Sequence, residues 1–516
     1  MATTTVDKSL ASELARDLSV SGGATVPVIA PFTGKKLYDL PTSSARDVVD
    51  AANAARVAQL AWFAAGPDHR RRVLLDGHDR FLGDRERLLD LLQTETGKTR
   101  GPAFEEFFQG ASATRYAALA AKSVTRTRGR RAGIPLVMRT RVSYKPKGVV
   151  GVITSWNYPL SLALMDVVPA LATGNAVVQK VDNQTVLTVL AARRAFIDAG
   201  VPASLWAVVA GDGTEIGNAV VDASDYVCFT GSTATGIKVG QRALGRVAGA
   251  SLELGGKNPM IVLDDANVAK AAASSVYGCF SSMGQLCVSM ERIYVQRAIA
   301  DQFTEAFVAN VKNLVQGAAL DYSTDVGSLT SAAQLERVKG HVDDAVKKGA
   351  TVLAGGRARP DLGPYFYEPT VLTNVTSDML CFTHETFGPV VVLDTVANED
   401  EAIAAANASE FGLNASVFSS SRSRARRVAD RITAGSVNIN EGYRSSFGSI
   451  DAPMGGMKHS GLGRRNGREG LLRFVESRTV AEATGLLTLP GSGVAAGKLA
   501  GAMETALKAL KALRRR

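Results

Sequence analysis

The sequence predicts an α/β protein in which parallel β-sheets are covered by helices on both faces. From Lys147 onward, short runs of small and β-branched residues alternate with helical stretches. These runs are apolar at consecutive positions, so each strand is expected to be buried on both faces. The chain has 516 residues, of which 46% are apolar, and this is enough for two or three hydrophobic cores.

Residues 148–263 supply the strands of the first predicted α/β domain. The first strand, 148–153, precedes an apolar helical stretch that ends at Gly174, and 175–180 form the second strand. A helix over 185–199 ends at Gly200, because glycine commonly terminates helices. Further strands are predicted at 206–210, 226–230, 251–254 and 260–263. This alternation is typical of a doubly wound, nucleotide-binding domain.

Residues 301–440 repeat the pattern and predict a second α/β domain. Helices over 301–314 and 399–409 alternate there with strands at 390–393 and 416–418. Two other segments, 139–144 and 473–480, alternate polar and apolar residues instead. That alternation is typical of half-exposed hairpin strands.

The residues after Thr484 differ from the rest of the chain. A Pro-Gly-Ser-Gly linker at 490–493 precedes a helical segment whose large apolar residues recur every third or fourth position. They are Leu499, Met503, Leu507, Leu510 and Leu513. Arg514, Arg515 and Arg516 follow, where cations complement the helix dipole. This amphipathic face either docks on the protein or a neighbouring subunit, or makes peripheral membrane contact.

Charge, cysteine and histidine usage exclude several function classes. The net charge of +10 is concentrated in 122–147 and in the last nine residues, without a nucleic-acid motif, so no nucleic-acid binding is expected. Four cysteines and five histidines lack metal-ligand spacing, so we expect neither a metal site nor disulfides. No apolar run is long enough to span a bilayer, and residues 1–17 lack a secretory pattern, which predicts a cytoplasmic protein.

Two segments carry candidate chemistry on their residue types alone. Residues 229–236, Phe-Thr-Gly-Ser-Thr-Ala-Thr-Gly, follow a strand and open a helix. Glycines at such a turn let backbone N–H groups approach either a phosphate or a packed neighbour. In Gly284-Gln285-Leu286-Cys287, the cysteine is either a small buried residue or an exposed nucleophile.

The order of several motifs resembles that of the aldehyde dehydrogenase superfamily over about residues 25–484. The motifs are Ser-Trp-Asn-Tyr-Pro at 155–159, Glu-Leu-Gly-Gly-Lys at 253–257, Cys287, Glu-Thr-Phe-Gly-Pro at 385–389, and Pro-Met-Gly-Gly-Met-Lys-His-Ser-Gly at 453–461. The resemblance implies a Rossmann-type cofactor domain (1–124 and 147–255) and an α/β catalytic domain (256–454). It also implies oligomerisation strands (125–146 and 473–484) that build a homodimer or homotetramer, and leaves 485–516 as a basic amphipathic tail.

The resemblance implies a mechanism that suits the residue types. Cys287 would attack an aldehyde as a thiolate. The side-chain amide of Asn157 and the backbone N–H of Cys287 would stabilise the oxyanion. Glu253 would activate the water that hydrolyses the thioester, although a carboxylate at a strand end is otherwise usually a helix cap or a solvated charge. Its presence argues against the coenzyme-A-acylating branch.

The resemblance also implies a nicotinamide dinucleotide site. The residues assigned to it are Trp156, Lys180, Asn183, Gly231, Ser232, Leu254, Glu385 and Phe387. Lys180 and Glu385 would reach ribose hydroxyls, although Lys180 could equally be a surface lysine. NAD-preferring members usually carry glutamate at the position of Asn183, so this sequence favours NADP over NAD. Asp182 would favour NAD if it points inward.

Residues 284–295 and 452–457 resemble an actinobacterial-type branch of succinate-semialdehyde dehydrogenases. Two arginines of the well-known enzymes are replaced here, by Ser281 and Met165. Because a free carboxylate needs a cation or several donors, Arg444 is the candidate substrate residue, unless it is a solvated loop arginine. Succinate semialdehyde is the predicted substrate. An apolar or fatty aldehyde is the alternative, and a catalytically inert relative is a minor one, because Cys287, Glu253 and Asn157 are all present.

Overall fold

A computed structural model describes residues 6–132, 137–485 and 491–513. Residues 133–136 of the predicted arm, Pro490 of the linker and Arg514–Arg516 lie outside the described residues. The helices are α1 Lys8–Ala15, α2 Ala45–Ala64, α3 Gly66–Gly83, α4 Arg85–Thr96, α5 Arg100–Val124, α6 Pro159–Ala172, α7 Val186–Asp198, α8 Glu215–Ala223, α9 Thr233–Leu244, α10 Val268–Phe280, α11 Ala300–Lys312, α12 Ala332–Lys347, α13 Leu380–Thr383, α14 Glu399–Asn407, α15 Arg422–Ala429, α16 Arg444–Phe447, α17 Gly467–Leu472 and α18 Gly493–Ala512. The strands are β1 Thr25–Ile29, β2 Lys36–Pro41, β3 Arg128–Arg130, β4 Met138–Pro146, β5 Val149–Ile153, β6 Ala176–Lys180, β7 Trp206–Val209, β8 Tyr226–Thr230, β9 Gly249–Glu253, β10 Asn258–Val262, β11 Met290–Gln296, β12 Thr351–Ala354, β13 Thr370–Thr373, β14 Val390–Val396, β15 Phe411–Gly412, β16 Asn414–Phe418, β17 Ser436–Ile439, β18 Met457–Lys458, β19 Gly461–Leu462 and β20 Val475–Ala483.

The first sheet has the strand order β19-β9-β8-β5-β6-β7. Strands β9 to β7 are parallel, and β19 joins the edge antiparallel to β9. Every residue of β5, β6, β7 and β8 is buried, as their unbroken apolar runs predict. The α/β fold class with parallel sheets is therefore confirmed.

The strand order of the first sheet reverses between β5 and β8. From β5 the chain proceeds to β6 and β7 on one side, whereas β8 and β9 are added on the other side. In open α/β sheets, the loops diverge at such a switch point and leave a crevice beyond the carboxyl ends of the strands. Trp156 and Asn157 follow β5, and Gly231 and Ser232 follow β8, so the topology brings these two predicted motifs together.

The second sheet has the order β12-β13-β14-β11-β10-β16-β17. It is parallel except for β12, which pairs antiparallel with β13 at one edge. The strand predicted at 260–263 is β10, and it belongs to this second sheet. Residues Asn258 to Val262 are all buried, so β10 lies in the interior of the sheet.

The region before Lys147 is mainly helical, and the sequence analysis assigned no helices to it. Helix α2 begins at a capping box in which Ser44 accepts a hydrogen bond from the Asp47 backbone. Helix α5 is 25 residues long and packs along α6. Ala113 of α5 and Met165 of α6 belong to the hydrophobic core of the second sheet, whereas Phe107 and Leu164 belong to that of the first.

The chain divides into two compact units, residues 1–124 with 146–475 and residues 125–145 with 476–516. Both large sheets belong to the first unit, so the predicted boundary between a cofactor domain and a catalytic domain stays a prediction. The second unit contains the sheet β20-β4-β3, which is formed by the predicted oligomerisation strands, and helix α18. Among the described residues, we find no helix with the length and apolar character needed to traverse a bilayer.

Candidate active site

A cavity of about 220 Å³ lies beyond the carboxyl ends of β5, β8 and β9. Nine residues of the predicted site contribute to its wall: Trp156, Asn157, Gly231, Ser232, Glu253, Leu254, Cys287, Glu385 and Phe387. The other three, Lys180, Asn183 and Arg444, are not among its lining residues. The structure therefore brings the candidate nucleophile, amide and base to one cavity.

Asn157 is held between two loops. Its side-chain Nδ2 donates to the backbone oxygen of Gln285 at 3.0 Å, two residues before Cys287. Its own backbone oxygen accepts from Nζ of Lys98 at 2.7 Å. Lys98 is buried and forms an ion pair with Glu106 of α5, whose carboxylate also accepts from the first N–H groups of α6. The side chain and the backbone of Asn157, the candidate oxyanion donor, are thus both fixed by buried polar contacts.

Cys287 follows a turn with unusual backbone geometry. Ser282, Met283 and Gly284 have φ values of 51°, 60° and 65°, in the left-handed region that disfavours residues with a Cβ. A Cβ at Gly284 would lie 2.2 Å from the backbone oxygen of Gly388, so a side chain cannot fit there. The backbone oxygen of Cys287 accepts from Nδ2 of Asn258 at 2.7 Å. These contacts aim the thiol into the cavity.

The thiol of Cys287 is the neutral form at pH 7 in this state. Burial and, to a smaller extent, the nearby carboxylates of Glu253 and Glu385 together raise the pKa of Cys287 to about 12, against the opposing effect of Arg465. Because the thiolate is the nucleophilic form, catalysis requires a group that removes this proton.

Glu253 closes β9 and presents its carboxylate to the same cavity. Its Oε1 atom is buried and has no hydrogen-bond partner among the described residues. Burial raises the pKa of Glu253 to about 7, and the charges of Arg465 and Arg473 partly oppose this shift. A carboxylate without a partner is costly inside a protein, so its persistence in a cavity is typical of a functional group.

A buried cluster of three charges supports the wall next to Glu253. Asp166 of α6 is fully buried and forms ion pairs with Arg465 at 2.6 Å and Arg473 at 2.5 Å. The two arginines lower the pKa of Asp166 against the effect of burial. Arg465 also donates to the Thr230 hydroxyl at the end of β8 and contributes to the cavity wall. This cluster was not predicted from the sequence, because Asp166 is about 300 residues away from both arginines.

Trp156 and Phe387 face each other across one end of the cavity. Their rings meet edge to face, with centroids 5.6 Å apart and planes at 89°. Glu385 Oε1 accepts from the backbone N–H of Gly256 at 2.8 Å. Burial raises the pKa of Glu385 to about 8. The aromatic pair and the carboxylate match the wall of a nicotinamide and ribose site.

The turn that carries Glu385 and Phe387 is positioned by a buried ion pair. Nζ of Lys257 lies 2.5 Å from the carboxylate of Glu291. That carboxylate accepts from the backbone N–H groups of Thr386 and Phe387, each at 3.0 Å. Lys257, the last residue of the Glu-Leu-Gly-Gly-Lys motif, therefore supports the turn indirectly, through Glu291.

The residues that follow β8 and β6 include donors suited to a phosphate-bearing ligand. Ser232 caps α9, whose N-terminus carries a partial positive charge beside Gly231. Lys180 lies at the end of β6, where burial lowers the pKa of its ammonium, and Nζ has no hydrogen bond or ion pair within residues 6–132, 137–485 and 491–513. Oδ1 of Asn183 accepts from the N–H of Gly211 at 2.8 Å, and Asp182 accepts from the N–H of Gln184. These residues fit a dinucleotide.

The candidate substrate end is largely apolar. Leu162, Met165, Val288, Phe447 and Met454 contribute to the cavity wall.

Ser281 belongs to a polar cluster close to the substrate end. Its hydroxyl accepts from the Tyr443 hydroxyl at 2.9 Å. Tyr443 stacks on Tyr277, and the guanidinium of Arg444 lies 4.3 Å from the centre of the Tyr277 ring. Arg444 is exposed and pairs with Glu441 at 3.0 Å, so its assignment to the substrate stays a prediction.

Residues 19–480 match the family model described as "Aldehyde dehydrogenase family". The chain belongs to this family. Among its relatives, a Mycobacterium tuberculosis protein provisionally named succinate-semialdehyde dehydrogenase (NADP(+)) 2 is 48% identical over 91% of each chain. Rice mitochondrial succinate-semialdehyde dehydrogenase is 38% identical, covering 89% of this chain and 86% of the rice protein. The predicted family is confirmed.

Solved structures of aldehyde dehydrogenases and related proteins superpose closely on this chain. Staphylococcus aureus betaine aldehyde dehydrogenase, crystallised with NAD+, has a TM-score of 0.86 and 31% identity, covering 94% of this chain and 99% of its own. A structure described as an Escherichia coli NADP-dependent enzyme has a TM-score of 0.87 and 33% identity, over 90% and 96% of the two chains. The aldehyde dehydrogenase-like fold is therefore confirmed.

Two further polar residues of the cavity wall, both on one helix, were not predicted from the sequence of this aldehyde dehydrogenase. Gln334 and Arg337 lie on α12, and Gln334 donates to the backbone oxygen of Phe387 at 2.5 Å. The apolar spacing of Val338, Val342 and Ala345 indicates a helix there, but not its position against the cavity. Among the described residues, no cluster of three or more metal-ligating side chains is present.

Proposed function

We propose that this aldehyde dehydrogenase oxidises succinate semialdehyde to succinate with NADP as the hydride acceptor. One observation carries the catalytic part of the proposal. The Cys287 thiol, the Asn157 amide and the unpartnered carboxylate of Glu253 line a single cavity. Nucleophile, oxyanion donor and base are the three groups that oxidation through a thioester requires.

The residues act in sequence on the aldehyde carbon. Glu253, with a pKa of about 7, takes the thiol proton that Cys287 cannot release unaided. The sulfur then bonds to the carbonyl carbon, and the Asn157 amide and the Cys287 N–H hold the resulting oxyanion. A bound nicotinamide supplies the acceptor for the hydride that leaves this carbon. Loss of the hydride leaves a thioester on Cys287.

Hydrolysis of the thioester uses the same carboxylate a second time. Glu253 first releases the thiol proton to solvent and becomes a carboxylate again. It then removes a proton from water, the hydroxide adds to the thioester carbon, and the C–S bond breaks, which releases the carboxylic acid and leaves Cys287 as a thiolate. The free Oε1 atom of Glu253 is available to accept that hydrogen bond from water.

NADP is the proposed cofactor because the site lacks a carboxylate at position 183. Asn183 is neutral and Lys180 is a buried cation at the neighbouring strand end, so a 2′-phosphate meets less repulsion there. The names of the mycobacterial relatives support the same choice.

The substrate proposal combines those names with the polar cluster beside the cavity. Ser281 and Met165 replace two arginines, so Arg444 with the hydroxyls of Tyr443 and Ser281 would have to hold the carboxylate. An apolar aldehyde is the second candidate, because Leu162, Met165, Phe447 and Met454 make this end of the cavity apolar.

The test is an aldehyde panel with NADP and with NAD, followed by the absorbance of reduced nicotinamide. We expect succinate semialdehyde to exceed hexanal in kcat/KM, and NADP to exceed NAD. Cys287→Ala should abolish turnover and retain cofactor binding. A succinate semialdehyde to hexanal ratio of one or below would dismiss the carboxylate-specific proposal, and turnover by Cys287→Ala would dismiss the thioester mechanism.

Arg444→Gln separates the two substrate classes. If Arg444 holds the substrate carboxylate, the KM of the Arg444→Gln enzyme for succinate semialdehyde should be at least about tenfold higher than that of the parent enzyme, because a charged hydrogen bond is lost. The KM for hexanal, which has no carboxylate, should be unchanged. Equal effects on both substrates would exclude the role of Arg444.

We also infer assembly into a homodimer or homotetramer through residues 125–146 and 473–484, and a cytoplasmic location. The sheet β20-β4-β3 supports the assembly proposal, since its strands have several exposed residues. Light scattering of the purified protein measures the mass directly, and a monomer would contradict the proposal.

A further inference from the structure

Helix α18, Gly493–Ala512, lies outside the part of the chain that the family model matches, which stops at residue 480. None of its residues is buried. Residues 485–516, which we call the tail, are therefore an addition to the family's catalytic body. The exposed side chains of α18 are therefore available to contact a partner outside the catalytic site.

One face of α18 is continuous and apolar. At about 100° per residue, Leu499, Met503, Leu507 and Leu510 fall on the same side together with several alanines. Leu507 is 65% exposed, a large exposure for an apolar side chain in a regular helix. Leu513, just after the helix, is 67% exposed. Exposed leucines aligned on one face indicate a binding surface.

The remaining faces of α18 are basic. Lys498 and Lys511 border the two edges of the apolar face, and Lys508 lies opposite it. Glu504 is the single acidic residue of the tail and pairs with Lys508. The sequence adds Arg514, Arg515 and Arg516 directly after Leu513. The tail therefore carries six cations and one anion.

This charge distribution opposes pairing of two copies of α18. Helices that pair through an apolar seam place opposite charges along its edges. Here a lysine borders each edge, and Glu504, the one acidic residue near an edge, is already paired with Lys508. Two such helices would bring like charges together. A membrane with anionic headgroups can accommodate both features. Its apolar interior would bury the leucines, and its headgroups would attract the flanking cations.

We propose that α18 binds peripherally to anionic lipid membranes. The helix lies in the plane of the headgroups, with Leu507, Leu510 and Leu513 in the acyl boundary and Lys498 and Lys511 against lipid phosphates. It is not long and apolar enough to cross the bilayer. The catalytic body would thereby be held at a membrane surface.

Co-sedimentation of the full-length protein with vesicles tests the proposal. We expect binding to vesicles of equal parts phosphatidylglycerol and phosphatidylcholine, and little binding to phosphatidylcholine alone. Binding should weaken in about 0.5 M salt, where the Debye length is a few ångströms. A protein that lacks residues 485–516 should lose vesicle binding and keep its aldehyde oxidation rate.

Two single substitutions separate the apolar face from simple charge. Leu507→Glu and Thr505→Glu each add one negative charge, but Leu507 lies on the apolar face and Thr505 on the polar side. Leu507→Glu should lower the vesicle partition constant at least about tenfold, as expected for one leucine kept in water, and Thr505→Glu less than about threefold.

Three results would overturn the proposal. They are failure of the full-length protein to bind anionic vesicles, equal binding to neutral vesicles, and unchanged binding after the tail is removed. A tail deletion that reduces the oligomer's mass without any vesicle binding would identify α18 as a subunit contact instead.

Discussion

Replacing Glu253 by glutamine removes a buried charge that destabilises the fold at neutral and alkaline pH. Glu253 has a pKa of about 7 in the folded protein, against an ordinary value of 4.5. The folded state therefore holds this proton more tightly than the unfolded state does. Stability from this carboxyl is fully present below about pH 4.5 and is lost as the pH rises to about 7.

The magnitude follows from these two pKa values. Raising the pH from about 5 to about 8.5 ionises Glu253 in the folded protein, whereas in the unfolded chain this group is already largely ionised at about pH 5. The free energy of unfolding of the parent protein therefore falls by about 2.5 kcal/mol over this range. Glutamine does not titrate. The difference in unfolding free energy between Glu253→Gln and the parent protein should therefore rise by about 2.5 kcal/mol over this range.

Urea unfolding of both proteins at the two pH values measures this difference. Any steric effect of the amide is the same at both pH values and cancels. Glu336→Gln, at an exposed position of α12, is the matched control and should show a nearly constant difference. A Glu253→Gln difference that does not change with pH would refute the assignment of a raised pKa, and with it the role of Glu253 as a base near neutrality.

Three further substitutions test the supports of the site. Lys98→Met leaves the Glu106 carboxylate buried without its cation, so urea unfolding should show a loss of about 3–5 kcal/mol, and an unchanged midpoint would contradict the role of this pair. Gly284→Ala places a Cβ 2.2 Å from the oxygen of Gly388 at a φ of 65°, so kcat should fall at least about tenfold while far-ultraviolet circular dichroism is retained; full activity would show that the turn adapts. Asn183→Glu should lower the ratio of kcat/KM for NADP to that for NAD by about tenfold through repulsion of the 2′-phosphate, and an unchanged ratio would remove position 183 from cofactor selection.

The sequence predicted strands in both sheets where their apolar runs are unbroken, but it did not predict β11, β12, β13 and β17 of the second sheet or β19 of the first. Strands β5, β6 and β8 differ from their predicted ranges by no more than one residue at either end. Helix α12 was missed even though its apolar spacing is regular. The helices before Lys147 were also left unassigned, and α5, which supports Asn157 through Glu106, is one of them.

The nine predicted residues that line the cavity came from contiguous motifs, whereas the residues that hold them in place did not. Lys98 and Glu106 are eight residues apart on the chain, and nothing in their spacing indicates that they reach Asn157. Arg465 reaches Asp166 only after the chain returns to the first sheet. Such supports depend on tertiary packing, which local periodicity does not contain.

The return of the chain to the first sheet has a consequence for biosynthesis. Asp166 is buried among apolar helices, yet the arginines that neutralise it are translated 299 and 307 residues later. Strand β19, which covers the edge beside Glu253, also comes from this late segment. A nascent polypeptide that has only emerged from the ribosome as far as residue 455 therefore contains the nucleophile but cannot complete the chamber around it. The site around Cys287 is therefore incomplete until β19, Arg465 and Arg473 have been synthesised and have packed against the first sheet.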